Sequence, residues 1–210
     1  NGTCMAKAWT QTDFASRGAA DIMSIEEEKW AFVREAVGTG RLSVIMPIFN
    51  LQQSIAENLE KTASLFSSHD IRTELVPVDD GSTDLSWNEI EKAAEKIGSL
   101  ENQCVVCKPL HLAVNGGKGA ALKAGFGASS GEYILLLDGD LDINPAQTPY
   151  FFEAMRTGNA DIVVGSKRHP DSKVQYPWHR RIVSWVYFSL VRWFVGIRIT
   201  DTQTGVKIFL

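Results

Sequence analysis

Asp138-Gly139-Asp140-Leu141-Asp142 sets three carboxylates within five residues, directly after the apolar run Tyr133-Ile134-Leu135-Leu136-Leu137. Carboxylates crowded together repel at neutral pH, and a hard divalent cation relieves the repulsion. Mg2+ and Mn2+ favour oxygen ligands, and Mg2+ commonly divides its coordination between one or two carboxylates and a substrate's phosphates. If the chain stays extended, Asp138, Asp140 and Asp142 lean to one side while Gly139 leaves the other clear. A solvated acidic turn after a strand would read the same way, so Asp-x-Asp alone does not decide.

Four other polar groups also follow apolar runs: Asn50, the pair Asp79-Asp80, Lys118 within Asn115-Gly116-Gly117-Lys118-Gly119, and Ser166-Lys167-Arg168. The elements that must position them can be read in order. Residues 1–23 read as a flexible leader, and 24–210 as a single domain. A capping box at Ser24 opens a helix carrying Trp30, Phe32, Val33 and Val37 as far as Gly38. Strand Leu42–Ile48 follows, then a helix over about 52–67 with Ile55, Leu59, Thr62 and Leu65 on one face. Strand 73–78 ends at Asp79-Asp80-Gly81, and Ser82, Thr83 or Asp84 can cap the helix that runs to about Gly98. Strand 105–108, a helix over about 120–128, strand 133–137, a helix over about 146–156 and strand 161–165 complete the alternation. Pro77 removes a ladder donor and predicts an edge-like or irregular second strand. The pattern predicts an α/β fold with a mostly parallel sheet flanked by helices and right-handed crossovers. Ligands of such sheets bind beyond the carboxyl ends of the strands, where all these polar groups fall.

Several classes drop out. A net charge of −4 argues against a nucleic-acid binder. The cysteines are Cys4, Cys104 and Cys107; without a second pair they make no zinc clamp, and a reducing, cytoplasmic setting is the simpler reading. No stretch reaches the ~20 apolar residues that a membrane span needs. Gly116-Gly117-Lys118-Gly119 lacks the frame of a P-loop, and the first strand ends without the dinucleotide-binding glycines.

Five motifs, in this order, carry a resemblance: Ser43 to Asn50 (Ser-Val-Ile-Met-Pro-Ile-Phe-Asn), Val78 to Asp84, Asn115 to Gly119, Asp138-Gly139-Asp140 and Val164 to Lys167. Together they resemble family-2 inverting glycosyltransferases of the GT-A, Rossmann-like fold. With the segment Asp201 to Phe209, the chain is similar to the polyprenyl- and dolichyl-phosphate branch, nearest the dolichyl-phosphate glucosyltransferase type. The resemblance implies that Asp79 or Asp80 holds the nucleoside of a UDP- or GDP-linked sugar donor, with Pro47, Asn50 and Lys118 in the same crevice. It implies Mg2+ or Mn2+ and the donor diphosphate on Asp138, Gly139 and Asp140. Asp142 stands where the family often has Gln, and Lys167, followed by Arg168, where it commonly has Arg. Family members usually continue past the Lys-Ile-Phe segment, so an end at Leu210 reads as a truncation.

The mechanism so implied is hexose transfer to a polyprenyl phosphate. The acceptor phosphate is already an anion, so attack at the anomeric carbon needs no general base. Lys167, Arg168, Arg180 and Arg181 would hold that second anion. A transferase acting on a sugar, lipid or protein hydroxyl, which would need a base near Asp142 or Asp201, and an inactive nucleotide-binding domain are the alternatives. Pro177 to Ile199 is rich in Trp, Tyr, Phe and Arg, as are helices lying in a membrane interface. A core helix packed on the sheet is the competing reading. The first predicts peripheral contact with the cytoplasmic face of a membrane.

Overall fold

The computed structural model describes residues 19–99, 104–165 and 206–210. In chain order the elements are α1 (Ala19–Val37), β1 (Leu42–Ile48), α2 (Ile55–Ser68), β2 (Thr73–Asp79), α3 (Ser86–Gly98), β3 (Val105–Cys107), β4 (Leu110–His111), α4 (Lys118–Ala128), β5 (Tyr133–Leu136), α5 (Thr148–Gly158), β6 (Ile162–Val164) and β7 (Lys207–Phe209), with a 3-10 turn at Pro145–Gln147 before α5. The sheet runs β3-β2-β1-β5-β7-β6, with β4 beside the end of β2. β1 is parallel to β2 and to β5, whereas β7 is antiparallel to both β5 and β6.

Helices cover both faces. One face carries the larger core, in which Val44, Met46, Ile48 and Leu75 meet Trp30 and Val33 of α1, Leu59 and Phe66 of α2, Ile90 of α3 and Phe152 of α5. The other face packs Ile45, Val76, Val78 and Leu136 against Ala121 of α4. This alternation along β1 and β2 is the two-residue period of a strand buried on both sides. Gly125 lets α4 lie close: a Cβ there would overlap Ile45 Cγ2.

Four sequence expectations need correcting. α1 begins at Ala19, so Ser24 lies inside the helix instead of capping it, and the expected leader overlaps the helix over residues 19–23. On α2 the innermost aromatic is Phe66, with Leu65 only half-buried, because 55, 59, 62 and 66 follow the 3.6-residue period more closely. β2 is no edge: all seven of its residues are buried between neighbours. Thr73 N–H donates to Cys104 O and Lys108 N–H to Leu75 O, so Pro77, alternating with them, faces the same side. There it meets the break between β3 and β4, and its missing donor leaves no ladder bond unmade. Fourth, β4 and the antiparallel β7 are additional strands, the latter reached only from residues 206–210.

Candidate active site

Asp138 and Asp140 do not continue the strand. β5 ends at Leu136, and a turn follows in which Leu141 N–H donates to Asp138 O. Leu141 takes a left-handed φ of 53°, a conformation that costs a non-glycine residue roughly 1 kcal/mol. Asp140 Oδ1 accepts from Asp142 N–H, and Asn58 of α2 donates from Nδ2 to Gly139 O at 2.9 Å. A Cβ at Gly139 would press on Ile48 and Leu51. Side-chain alternation therefore stops at the turn. Asp138 and Asp140 share one cavity while exposed Asp142 lies outside its lining. Among the described residues no three His, Cys, Asp or Glu side chains gather on one metal-sized point, and Asp142 stands apart from Asp138 and Asp140.

That cavity, about 340 Å3, lies at the carboxyl ends of β1, β2 and β5 and is lined by Pro47, Ile48, Phe49, Leu51, Asp80, Lys118, Ala121, Asp138, Gly139 and Asp140. Lys118, the first residue of α4, reaches across it to Asp138 Oδ1 at 2.5 Å. A half-exposed ion pair of this kind is weak and exchangeable, so the lysine can trade its carboxylate for a phosphate.

Asp79 and Asp80 separate because successive residues leave a strand on opposite faces. Asp80 turns to the cavity, and its Oδ1 accepts from Gly116 N–H at 2.9 Å, tying down the glycine loop before α4. Asp79 is fully buried on the other face; its Oδ2 lies 2.8 Å from His111 Nδ1 and accepts a long bond from Ser82 N–H. Its Oδ1 is buried and meets no hydrogen-bond donor, an acceptor that a ligand N–H or O–H could satisfy. The His111 ring leans against Trp87, centroids 5.0 Å apart. Gly81, at φ 65°, sits where a Cβ would strike the backbone of Val114 and Asn115. Asp84, out of the three capping candidates, takes the first-turn amide of α3 through Ser86 N–H, along with Gln52 N–H. Burial works against its charge, and the bond from Ser86 Oγ–H together with these two N–H bonds outweighs burial to hold its carboxyl below the usual range.

Asn50 bridges two loops at the rim of the site. It is exposed at φ 53°, its N–H donates to Ser82 Oγ, and its Oδ1 accepts from Thr83 N–H, so it staples the β1 and β2 loops together outside the cavity lining. Lys167, Arg168, Arg180, Arg181, Asp201 and the stretch Pro177 to Ile199 lie outside the described residues. Sequence reasoning missed Asn58 and the apolar floor of Ile48, Phe49, Leu51 and Ala121. Asn58 was findable as the one amide on the buried stripe of α2.

A parallel sheet with acids and a lysine gathered at its carboxyl edge, closed by antiparallel strands, is the GT-A fold of nucleotide-sugar transferases. The sequence profile described as "Glycosyl transferase family 2" matches residues 43–209, and the chain belongs to that family. It is 30% identical over 168 residues to the dodecaprenyl-phosphate galacturonate synthase of Rhizobium johnstonii, covering 80% of this chain and 47% of that one. It is 34% identical over 160 residues to an undecaprenyl-phosphate 4-deoxy-4-formamido-L-arabinose transferase of Edwardsiella ictaluri, covering 76% and 46%. An undecaprenyl-phosphate mannosyltransferase of Micrococcus luteus is 30% identical over 173 residues, covering 80% and 66%. The chain spans about half the length of the first two of these curated relatives. Among solved structures, the Mycobacterium tuberculosis glucosyl-3-phosphoglycerate synthase in complex with Mn2+, UDP-glucose and phosphoglyceric acid superposes with a TM-score of 0.59 at 21% identity, over 86% of this chain and 60% of that one. At that identity the likeness speaks to the fold.

Proposed function

We propose that this chain is the donor-binding catalytic domain of a transferase that moves a hexose from a UDP- or GDP-linked sugar to a polyprenyl phosphate, working against the cytoplasmic face of a membrane. The observation that carries the reading is the cavity itself. Three carboxylates, Asp80, Asp138 and Asp140, and Lys118 line it at the strand ends where a nucleotide diphosphate would lie. The relatives' polyprenyl-phosphate acceptors support the second substrate.

Asp138 and Asp140 fit a divalent cation: two oxygen donors on a fixed turn, with open volume beside them for phosphate oxygens. When bound, Mg2+ or Mn2+ there supplies neutralisation of charge growing on the departing diphosphate. Lys118 adds a cation on the same side and, released from Asp138, can follow the diphosphate as it leaves. Asp79 or Asp80 accepts from the base or ribose: Asp80 faces the cavity, and Asp79, on the other face of β2, keeps one unmet acceptor. The glycine loop pinned by Asp80 lets backbone approach the donor closely. The acceptor phosphate attacks as an anion, so the chain's task is to hold two anions in line instead of removing a proton. Lys167, Arg168, Arg180 and Arg181 are proposed for the acceptor side.

Incubation with radiolabelled UDP-glucose or GDP-mannose, Mn2+ and a polyprenyl phosphate tests this. Label should enter an organic-extractable product that mild acid releases. An acid-stable glycoside would replace the phosphate acceptor with a hydroxyl. Donor and Mn2+ failing to bind at all would sink the catalytic reading.

A further inference from the structure

Resting on the reading that Asp138 and Asp140 receive the metal-bound diphosphate, we infer that Asn58 is the positioning residue that presets their turn. It stands on the inner stripe of α2 among Ile55, Leu59, Thr62 and Phe66, only 8% exposed. A buried amide destabilises unless it is hydrogen-bonded, and an apolar residue would fill this stripe more simply. Its Nδ2 instead crosses to Gly139 O at 2.9 Å, joining segments 81 residues apart.

The direction of that carbonyl fixes the peptide plane between Gly139 and Asp140, and therefore where Asp140 leaves the turn. Glycine is the residue most free to rotate its peptide, so the plane needs an outside anchor. The remaining bonds act elsewhere. Leu141 N–H holds Asp138 O, and Asp142 N–H holds the Asp140 carboxylate; neither touches the Gly139 carbonyl. Ile48 and Leu51 close against Gly139 from the β1 side and leave the plane's orientation to the amide of Asn58. Asn58 lies outside the cavity lining. It acts through Asp140 as an outer partner acts on a ligand, where loss typically costs 10–100-fold in affinity.

Two variants separate positioning from mere support. Asn58→Asp keeps the shape and turns the donor into an acceptor facing Gly139 O; Asn58→Leu keeps the volume without any donor. Both are to be titrated with MnCl2 and UDP or GDP, followed by Mn2+ electron paramagnetic resonance and calorimetry, with Asp140→Asn alongside. Amide hydrogen exchange at Leu141, whose N–H closes the turn on Asp138 O, and at Leu135 reports the turn and the sheet separately. Expected are ~10–100-fold weaker Mn2+-nucleotide binding in both Asn58 variants and faster exchange at Leu141 with Leu135 unchanged. Unchanged binding per folded molecule, or loosening of Leu141 and Leu135 alike with a lower Tm, would overturn the inference by making Asn58 ordinary core. If Asp140→Asn itself binds Mn2+ and nucleotide normally, the reading of the site falls and takes this inference with it. If Asp140→Asn loses binding while the Asn58 variants keep it, only this inference fails.

Discussion

Among single residues, the acids of this chain divide by what surrounds them. Asp140 is exposed on a pinned turn, and replacing it with Asn keeps the oxygen that accepts from Asp142 N–H while removing the charge. Asp140→Asn should therefore leave Tm within about a degree and reduce turnover ~100-fold or more; near-normal turnover would contradict the metal assignment. Glu74 is the opposite case, a fully buried carboxylate far from the cavity. Burial alone would raise its pKa. The bonds it accepts from Lys108, Ser43 and the N–H and O–H of Ser130 outweigh burial and hold it at about 2, below an ordinary value of 4.5. A lowered folded pKa means the stabilisation is complete above the unfolded value and is lost as pH falls from 4.5 toward about 2. Glu74→Gln should cost on the order of 3 kcal/mol at pH 7. Denaturant melts should show the gap to wild type closing below pH 4; a constant gap would mean that the charge is unimportant.

Among elements, what positions the site is the closeness of α4. Gly125 lies where any side chain would overlap Ile45, and α4 begins at Lys118, which spans the cavity. Gly125→Val should push the helix off the sheet, at about 1–3 kcal/mol. It should also weaken nucleotide binding beyond what lost stability explains, because Lys118 and Ala121 shift with the helix; urea melts and calorimetry on the same sample check both. Most elements were legible in the sequence because apolar period and turn residues specify them locally. The exceptions share a cause. The place of Pro77 depends on where a neighbouring strand breaks, and β7 is a three-residue strand whose partners lie far away in sequence. The site was legible as a set of strand-end polar residues. What could not be read was which acid would face which way, since a single turn at Asp138 ends the alternation.

At the scale of the whole molecule, the sheet is assembled from two kinds of connection. β1, β2 and β5 are joined by parallel pairing through their own crossovers, whereas β6 pairs, among the described residues, only with β7, and β7 in turn with β5. Val163 and Ile208, facing each other in that ladder, are both fully buried. The order of residues along the chain thus becomes an order in time. A ribosome adding about 5–20 residues each second has translated β6 several seconds before Lys207 to Phe209 exist. Throughout that interval the strand Ile162–Val164 lacks β7, its partner among the described residues. Pulse-labelled exchange on refolding protein should find amides of Val44 and Val76 protected early and those of Val163 and Ile208 last, in step with one another; simultaneous protection of all four would refute a late splice. During synthesis a nascent chain would hold the cavity's walls already formed while one flank of its sheet still waited for its keystone.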